Sequence, residues 1–274
     1  MIADINIAVI TGGGHGIGRA LCGRLARDGI KVVVADREPD AAAKVAADIG
    51  GTAHVLDVGD EAAMLALVDS VERDVGAIDL FVSNAGVGFG DAGGSAASRE
   101  GGMIAVEDRW QACWNINVMA HVYAARALLP RMIGRGGGHL VNVASAAGLL
   151  SQIGDAAYSA TKHAAVAFAE SLAITHGDQG ITVSVVCPQA VATRMIGIDD
   201  DAESFDGGFG GNDVDGILSP DQVAEDIVAG IRQERFLVLP HPQVQTYFQR
   251  KAADHDRWIA GMQRFRRKLT GEER

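Results

Sequence analysis

Ile7-Ala-Val-Ile-Thr11-Gly-Gly-Gly-His-Gly-Ile-Gly18 is the stretch that decides the fold. Residues 7–11 form a short, largely β-branched apolar run, the pattern of a strand buried on both faces. The glycine cluster that follows lets the backbone turn sharply and approach a ligand closely. Residues 19–28 then read as a helix that Gly29 can stop. Strand, glycine turn and helix N-terminus together present free N–H groups and a partial positive charge, which suits a pyrophosphate. A turn without ligand could use the same glycines, and their spacing is GxxxGxG rather than GxGxxG. The position between a first strand and a first helix is what favours dinucleotide binding.

Outward from this unit, strands and helices alternate. Strands are expected at 31–36, 52–58, 80–83, 139–144, 182–187 and 236–239, and helices at 41–49, 61–75, 110–133, 156–176 and 221–233. Such alternation, with helix-length crossovers, implies a mostly parallel seven-stranded sheet flanked by helices on both faces. No linker or repeat divides residues 1–274, so the expectation is α/β, a single Rossmann-type doubly wound domain. Residues 88–102 and 195–216 are rich in Gly, Ala, Ser or Asp and read as irregular. The segment 194–217 falls between a strand and a helix, where a substrate lid is expected. Residues 241–274 read as a helical tail, with Tyr247, Phe248, Trp258, Met262 and Phe265 on one buried stripe.

The 274 residues carry a formal net charge of −11, which argues against nucleic acid as a partner. No apolar run approaches a membrane span, and residues 1–6 lack a secretory pattern, so a cytoplasmic protein is expected. Cys22, Cys113 and Cys187 are widely spaced and read as small buried thiols. The eight histidines show no paired metal-binding spacing, and no metal is expected. Asp199-Asp-Asp201, with Glu203 and Asp206, lacks the ligand order of a calcium loop and reads as a solvated, mobile lid. Arg264-Phe-Arg-Arg-Lys268 reads as a solvated helix face.

Asp36 ends the second strand 18 positions after Gly18, where a carboxylate can bond the adenosine ribose. A carboxylate there repels the additional phosphate of NADP and so favours NAD. Arg37, which could pair with that phosphate, works the other way. Asp57, beside Val58, is placed to bond the adenine edge or to act as an ordinary strand-end cap.

Tyr158-Ser-Ala-Thr-Lys162 lies in a helical stretch, and residues four apart share one face. A free tyrosine, with a pKa near about 10, is a poor base at neutral pH, and a nearby ammonium favours its phenolate. Ser145 is the last residue of the strand-like stretch Leu140-Val-Asn-Val-Ala-Ser145, with a hydroxyl able to hold a substrate oxygen as its charge changes. Asn117 lies in the preceding long helix.

Taken in order, these motifs resemble those of the classical short-chain dehydrogenases/reductases, over roughly residues 5–239. Thr11-Gly12-xxx-Gly16-x-Gly18 is similar to that family's cofactor loop, and Asn84-Ala85-Gly86 to its NAG segment. Asn117, Ser145, Tyr158 and Lys162 are similar to its catalytic tetrad, with Ser145 preceding Tyr158 by 13 positions. Pro188 to Thr193 resembles the segment that contacts the nicotinamide carboxamide. The resemblance implies an NAD(H)-dependent oxidoreductase interconverting a secondary alcohol and a ketone. It makes Tyr158 the general acid/base, while Lys162 lowers its pKa and holds the nicotinamide ribose. Ser145 orients the substrate oxygen, and Asn117 kinks its helix and anchors a relay water. Gly12, Gly14, His15, Gly16, Ile17, Gly18, Asp36, Arg37, Asp57, Val58, Asn84, Ala85, Gly86, Tyr158, Lys162, Pro188, Val191 and Thr193 are the expected cofactor contacts. A homodimer or homotetramer is implied, pairing through the helices 110–133 and 156–176.

Two departures stand out: Ser83-Asn84 where the family often has two Asn, and Pro188-Gln189 where Pro-Gly is usual. Gln189 can reshape the pocket or touch substrate. Ser145, Leu150, Gln152, Tyr158, Gln189 and Met195 are the expected substrate contacts, with Leu149 and Ile196 adding apolar surface. They suggest a medium-sized, partly hydrophobic alcohol or carbonyl substrate. A non-catalytic NAD-binding sensor or scaffold on the same fold is the alternative, although such proteins usually lose the Tyr or Lys retained here. An epimerase or dehydratase is disfavoured by length.

Overall fold

The computed structural model describes residues 5–89, 107–200 and 214–269. The element order is β1 (Ile7–Thr11), α1 (Gly16–Arg27), β2 (Lys31–Asp36), α2 (Pro39–Ile49), β3 (Thr52–Val55), α3 (Glu61–Asp74) and β4 (Leu80–Ser83). A long helical run follows, composed of α4 (Glu107–Trp114), a π-helical segment (Asn115–Met119) and α5 (Ala120–Gly134). The chain continues through β5 (Gly138–Val143), α6 (Ala147–Leu150), α7 (Ala156–His176), β6 (Ile181–Val186), α8 (Pro220–Arg232), β7 (Leu237–Val238), α9 (Gln243–Ala253) and α10 (His255–Leu269).

The sheet has seven strands in the order β3-β2-β1-β4-β5-β6-β7, and every pairing is parallel. The chain runs outward from β1 to β3, then returns to place β4 on the other side of β1. That reversal opens a crevice at the carboxyl ends of the strands, where open α/β sheets bind ligands. Thr11, Asp36, Ser83 and Val143 all end strands on this edge.

Period-2 alternation divides the core. Val9, Val33, Phe81 and Val185 join the layer under α3, α5 and α7, while Ile10, Val34, Val82 and Val143 join the layer under α1, α2 and α8. Leu21, Leu25, Met64, Leu128 and Ile227 enter these layers with 1% exposure or less. Burial on both faces explains why the central strands read as continuous apolar runs. Side chains cap several helices: Asp60 accepts from Ala62 N and Ala63 N, and Ser219 from Gln222 N.

Several boundaries differ from expectation. β3 ends at Val55: Leu56 N makes the last bond to β2, at Asp36 O (2.9 Å), and Asp57 then turns back to accept from Gly59 N at 2.9 Å while Leu56 and Val58 bury their side chains in the core. Helix α1 starts at Gly16 rather than 19. The tail is not one stripe. Asp254 adopts an extended conformation that separates α9 from α10. Phe248 is exposed, and Val244 is the fully buried residue of α9. Tyr247 and Trp258 do pack against the core. All three cysteines are free and buried. Residues 90–102 of the first irregular segment, 201–213 of the second and 270–274 of the tail lie outside the described residues.

Two histidines are sealed in this core. Burial pushes the His121 imidazole down to about 3 and that of His139, bonded to Ser184 Oγ at 2.9 Å, down to about 4. Both are therefore neutral in the folded protein wherever an unfolded histidine, near about 6.5, starts to protonate. The unfolded chain then binds more protons than the native state, so stability is full above pH 6.5 and declines as pH falls toward 4 and 3. At pH 5 each histidine should cost about 2 kcal/mol. Thermal melts from pH 7.5 to 5 should show this decline, and His121→Met should flatten it. An unchanged pH dependence in that variant would contradict the assignment.

Candidate functional site

The cradle is built by β1, the turn after it and the first turn of α1. Thr11, the last residue of β1, donates its hydroxyl to Val82 O at 3.3 Å and accepts from Asn84 N at 3.0 Å and Ala85 N at 3.3 Å. Asn84 Nδ2 donates to Thr11 O at 3.0 Å and to Gly12 O at 3.2 Å. The Asn-Ala-Gly segment thus locks the glycine turn to β4. A β-carbon on Gly18 would lie 2.1 Å from Gly12 O, and Gly16 has φ +49° with Thr193 packed against it. Only glycines permit this turn, because the protein's own atoms occupy the places their β-carbons would take.

Asp36 is 7% exposed. Its Oδ2 accepts from Gly14 N at 2.9 Å and its Oδ1 from Glu38 N at 3.0 Å. It sits where the sequence expects it, with acceptor capacity left for ribose hydroxyls. His15 is held by Asp200 at Nδ1 and Glu38 at Nε2, at 2.7 and 3.1 Å. Val58 buries its side chain in the core, and Arg37 is exposed. Pro188 O accepts from Ala146 N at 2.8 Å and Ser145 Oγ at 3.4 Å. Val191 bridges to Leu218, and Thr193 Oγ1 donates to Val191 O at 3.2 Å. The segment 188–193 therefore lines the edge of the crevice between Ser145 and Gly16.

The tetrad residues converge at the same edge. Ser145 follows β5 and accepts from Ala147 N at 3.1 Å. Asp155 caps α7 and accepts from Tyr158 N at 3.0 Å. Tyr158 and Lys162 lie on one face of α7, with the ammonium 5.6 Å from the Tyr158 ring centroid. Lys162 Nζ donates to Val143 O at 3.0 Å. Asn117 lies inside the π-helical segment and is fully buried. Its Oδ1 accepts from Val87 N at 2.9 Å, and its Nδ2 donates to Val87 O at 2.8 Å and Thr161 Oγ1 at 3.1 Å. It clamps the loop after Gly86 against α7. A β-carbon on Gly86 would lie 3.2 Å from Lys162 Nζ.

The electrostatics differ from expectation in one respect. Burial pushes the Tyr158 phenol up to about 12, opposed by the hydrogen bond with Ser145 and reinforced by the Asp155 carboxylate. Burial also pulls Lys162 down to about 8. The expected lowering of Tyr158 by Lys162 is outweighed here, because the ammonium stands over the ring and bonds a backbone carbonyl rather than the phenol oxygen.

Of the expected substrate contacts, Leu150 and Gln152 line, with Lys251, Trp258 and Met262, a small pocket of about 120 Å³, whose wall does not include Ser145, Tyr158, Gln189 or Met195. Gln189 N donates to His241 Nδ1 at 3.1 Å, while its Oε1 is buried with no hydrogen-bond partner among the described residues. Met195 is half exposed. Among the described residues no helix is long and apolar enough to cross a membrane, and no group of three acidic, His or Cys side chains could hold a metal.

The sequence reading missed three residues of the site, Asp155, Glu38 and Asp200, and named Thr11 in the cofactor-loop motif without a role. Thr11 and Asp155 carry no chemistry of their own, and only their hydrogen bonds reveal their roles. Glu38 and Asp200 were hidden by distance in the chain. At Asp200 the solvated reading of the acidic run does not hold: its side chain is 6% exposed and bonded at the cradle, whereas Asp199 is exposed and residues 201, 203 and 206 lie outside the described residues. Attraction to His15, Arg194 and the free N–H of the helix start holds it there.

Residues 6–203 match the short chain dehydrogenase family model. The chain is 38% identical to a 1-deoxy-11-beta-hydroxypentalenate dehydrogenase from Streptomyces exfoliatus, over 69% of this chain and 68% of that protein. It is 33% identical to a meso-2,3-butanediol dehydrogenase from Serratia marcescens, over 70% and 74%. A short chain dehydrogenase/reductase from Burkholderia phymatum, solved in complex with NAD, superimposes with a TM-score of 0.78 at 28% identity, covering 93% of this chain and 96% of that one. With the parallel sheet, the glycine cradle and the Ser-Tyr-Lys cluster in place, the chain belongs to the classical short-chain dehydrogenase/reductase family.

Proposed function

We propose that this protein interconverts a secondary alcohol and a ketone with NAD(H), using Tyr158 as general acid/base. The family and its dehydrogenase relatives make the coarser statement plain: an oxidoreductase acting on CH–OH groups with a nicotinamide cofactor. The observation that carries the finer reading is the convergence of Ser145, Tyr158 and Lys162 beside a cradle whose β2 end presents Asp36. When bound, the cofactor accepts or supplies the hydride at its nicotinamide C4. In the oxidative direction the alcohol proton passes to the Tyr158 oxygen, and in the reductive direction it returns from there. Ser145 Oγ holds the substrate oxygen, and the Lys162 ammonium stabilises charge on the phenol and holds the ribose. Asn117 keeps the 86–88 segment against Lys162 and Tyr158.

The substrate reading is a medium-sized, partly hydrophobic molecule. Leu150, Trp258 and Met262 supply apolar wall, and the unpartnered Gln189 Oε1 offers an acceptor for a substrate donor. Exposed Trp114 and Ile174, on the two helical runs the resemblance assigns to subunit pairing, fit a homodimer or homotetramer.

Calorimetry of NADH beside NADPH, on protein stripped of nucleotide, tests the cofactor reading. NADH should bind at least roughly tenfold tighter, about 1.4 kcal/mol, and Asp36→Asn should narrow that gap by relieving repulsion of the additional phosphate. A preference for NADPH in the unmodified protein would overturn the choice of NAD. Binding of neither would overturn the cofactor site itself.

A further inference from the structure

The first turn of α1 already holds an anion of the protein's own. Asp200 lies 184 residues beyond Gly16, yet its Oδ1 accepts from Gly16 N at 2.8 Å and its Oδ2 lies 2.7 Å from His15 Nδ1. Arg194 Nε reaches the same Oδ2 at 3.2 Å, and Arg194 also meets His15 Nε2 at 3.1 Å. Thr193, at the base of this segment, packs on Gly16. The carboxylate is therefore desolvated, with a backbone N–H, an imidazole and a guanidinium around it. This is the environment a helix N-terminus offers to a phosphate oxygen.

We infer that Asp200 is an internal competitor for the cofactor's pyrophosphate, and that it sets how tightly the cofactor binds. This inference rests on the cofactor reading of the cradle. One N–H group and one positively polarised helix start cannot serve a buried carboxylate and a diphosphate at the same position. Two anions crowded there would repel each other across a site with little water to screen them. Cofactor binding must therefore expel the Asp200 carboxylate. The departure releases His15 Nδ1 and Arg194 Nε toward the incoming diphosphate, while Glu38 still faces His15 Nε2 at 3.1 Å and Arg194 at 3.8 Å. It also moves residues 194–200 away from the cradle. Arrival of the cofactor is thereby linked to a rearrangement of the segment that borders the substrate side, and the linkage acts in both directions.

The test compares NADH binding to the full-length protein and to its Asp200→Ala and Asp200→Asn variants, by calorimetry and by thermal melts with and without NADH. Asp200→Ala should lower the melting temperature without NADH, because a native contact is lost. It should also tighten NADH binding roughly tenfold, because no competitor remains. Asp200→Asn keeps an acceptor for Gly16 N but loses the charge, so it should tighten binding by a smaller factor. Inorganic pyrophosphate should follow the same order. If the unmodified protein binds NADH and both variants bind it equally or more weakly, the competitor role is overturned. If the unmodified protein binds neither nicotinamide cofactor, the cofactor site fails instead, and the two failures are told apart by that measurement alone.

Discussion

Replacing Tyr158 by Phe should reduce kcat by roughly 10²–10⁴-fold, the range a positioned general acid/base supplies, while NADH affinity stays within about twofold. The substitution removes only the phenol oxygen. The ring keeps its place beside Gly88 and under the Lys162 ammonium, and Asp155 still caps the helix through the Tyr158 backbone N–H. Lys162 also keeps its bond to Val143 O, so the cofactor side of the site is unchanged. What disappears is the atom that exchanges the proton with the substrate oxygen. Single-turnover measurement with saturating cofactor separates this loss from any change in binding. Turnover above about a tenth of the unmodified rate, well short of the loss general acid/base catalysis predicts, would place the proton transfer elsewhere.

The second large effect belongs to Gly18. An alanine there would bring its β-carbon 2.1 Å from Gly12 O and 2.6 Å from Asn84 Nδ2. Neither neighbour can yield cheaply. Gly12 O is backbone, and Asn84 holds the turn to β4. Gly18→Ala should therefore open the cradle, lose about 3 kcal/mol of stability and lower the melting temperature by roughly 8 °C. NADH binding should fall below detection by calorimetry. Gly23→Ala, one turn later in the same helix, is the matched control. Its β-carbon would find only the tip of Arg27 at 3.9 Å, so alanine should stabilise α1 by roughly 0.5–1 kcal/mol. Equal melting temperatures for the two variants would remove the steric argument.

The layered sheet was legible because its cause is local. Val32, Val33 and Val34 in succession allow little besides a strand buried on both sides, and Gly12 to Gly18 announce a turn that no bulkier residue can make. Tyr158 and Lys162 were legible because helical spacing is itself a statement of proximity. The π-helical segment around Asn117 was expected as a kink only through the resemblance, since one additional residue in a turn leaves no mark on apolar periodicity. Helix α6, with four residues, is too short to show a period. The break at Asp254 was hidden by apolar residues that continue on either side of it. Asp200 was invisible for another reason: its partner lies across the fold, and a run of three aspartates reads the same whether solvated or bonded.

One side chain of the tail ties two parts of the molecule together. Lys251 Nζ, on α9, donates to Leu149 O at 2.6 Å and meets His163 Nε2 at 3.3 Å. The helix carrying Leu150 thus leans on a buttress contributed by the last fifth of the chain, which lies beyond the residues matched by the family model. His163 neighbours Lys162 on α7, so the same ammonium holds both the Leu150 wall and the helix that carries Tyr158 and Lys162. A substitution at Lys251 therefore loosens pocket wall and helix together, and the two are not altered independently from that point of the tail.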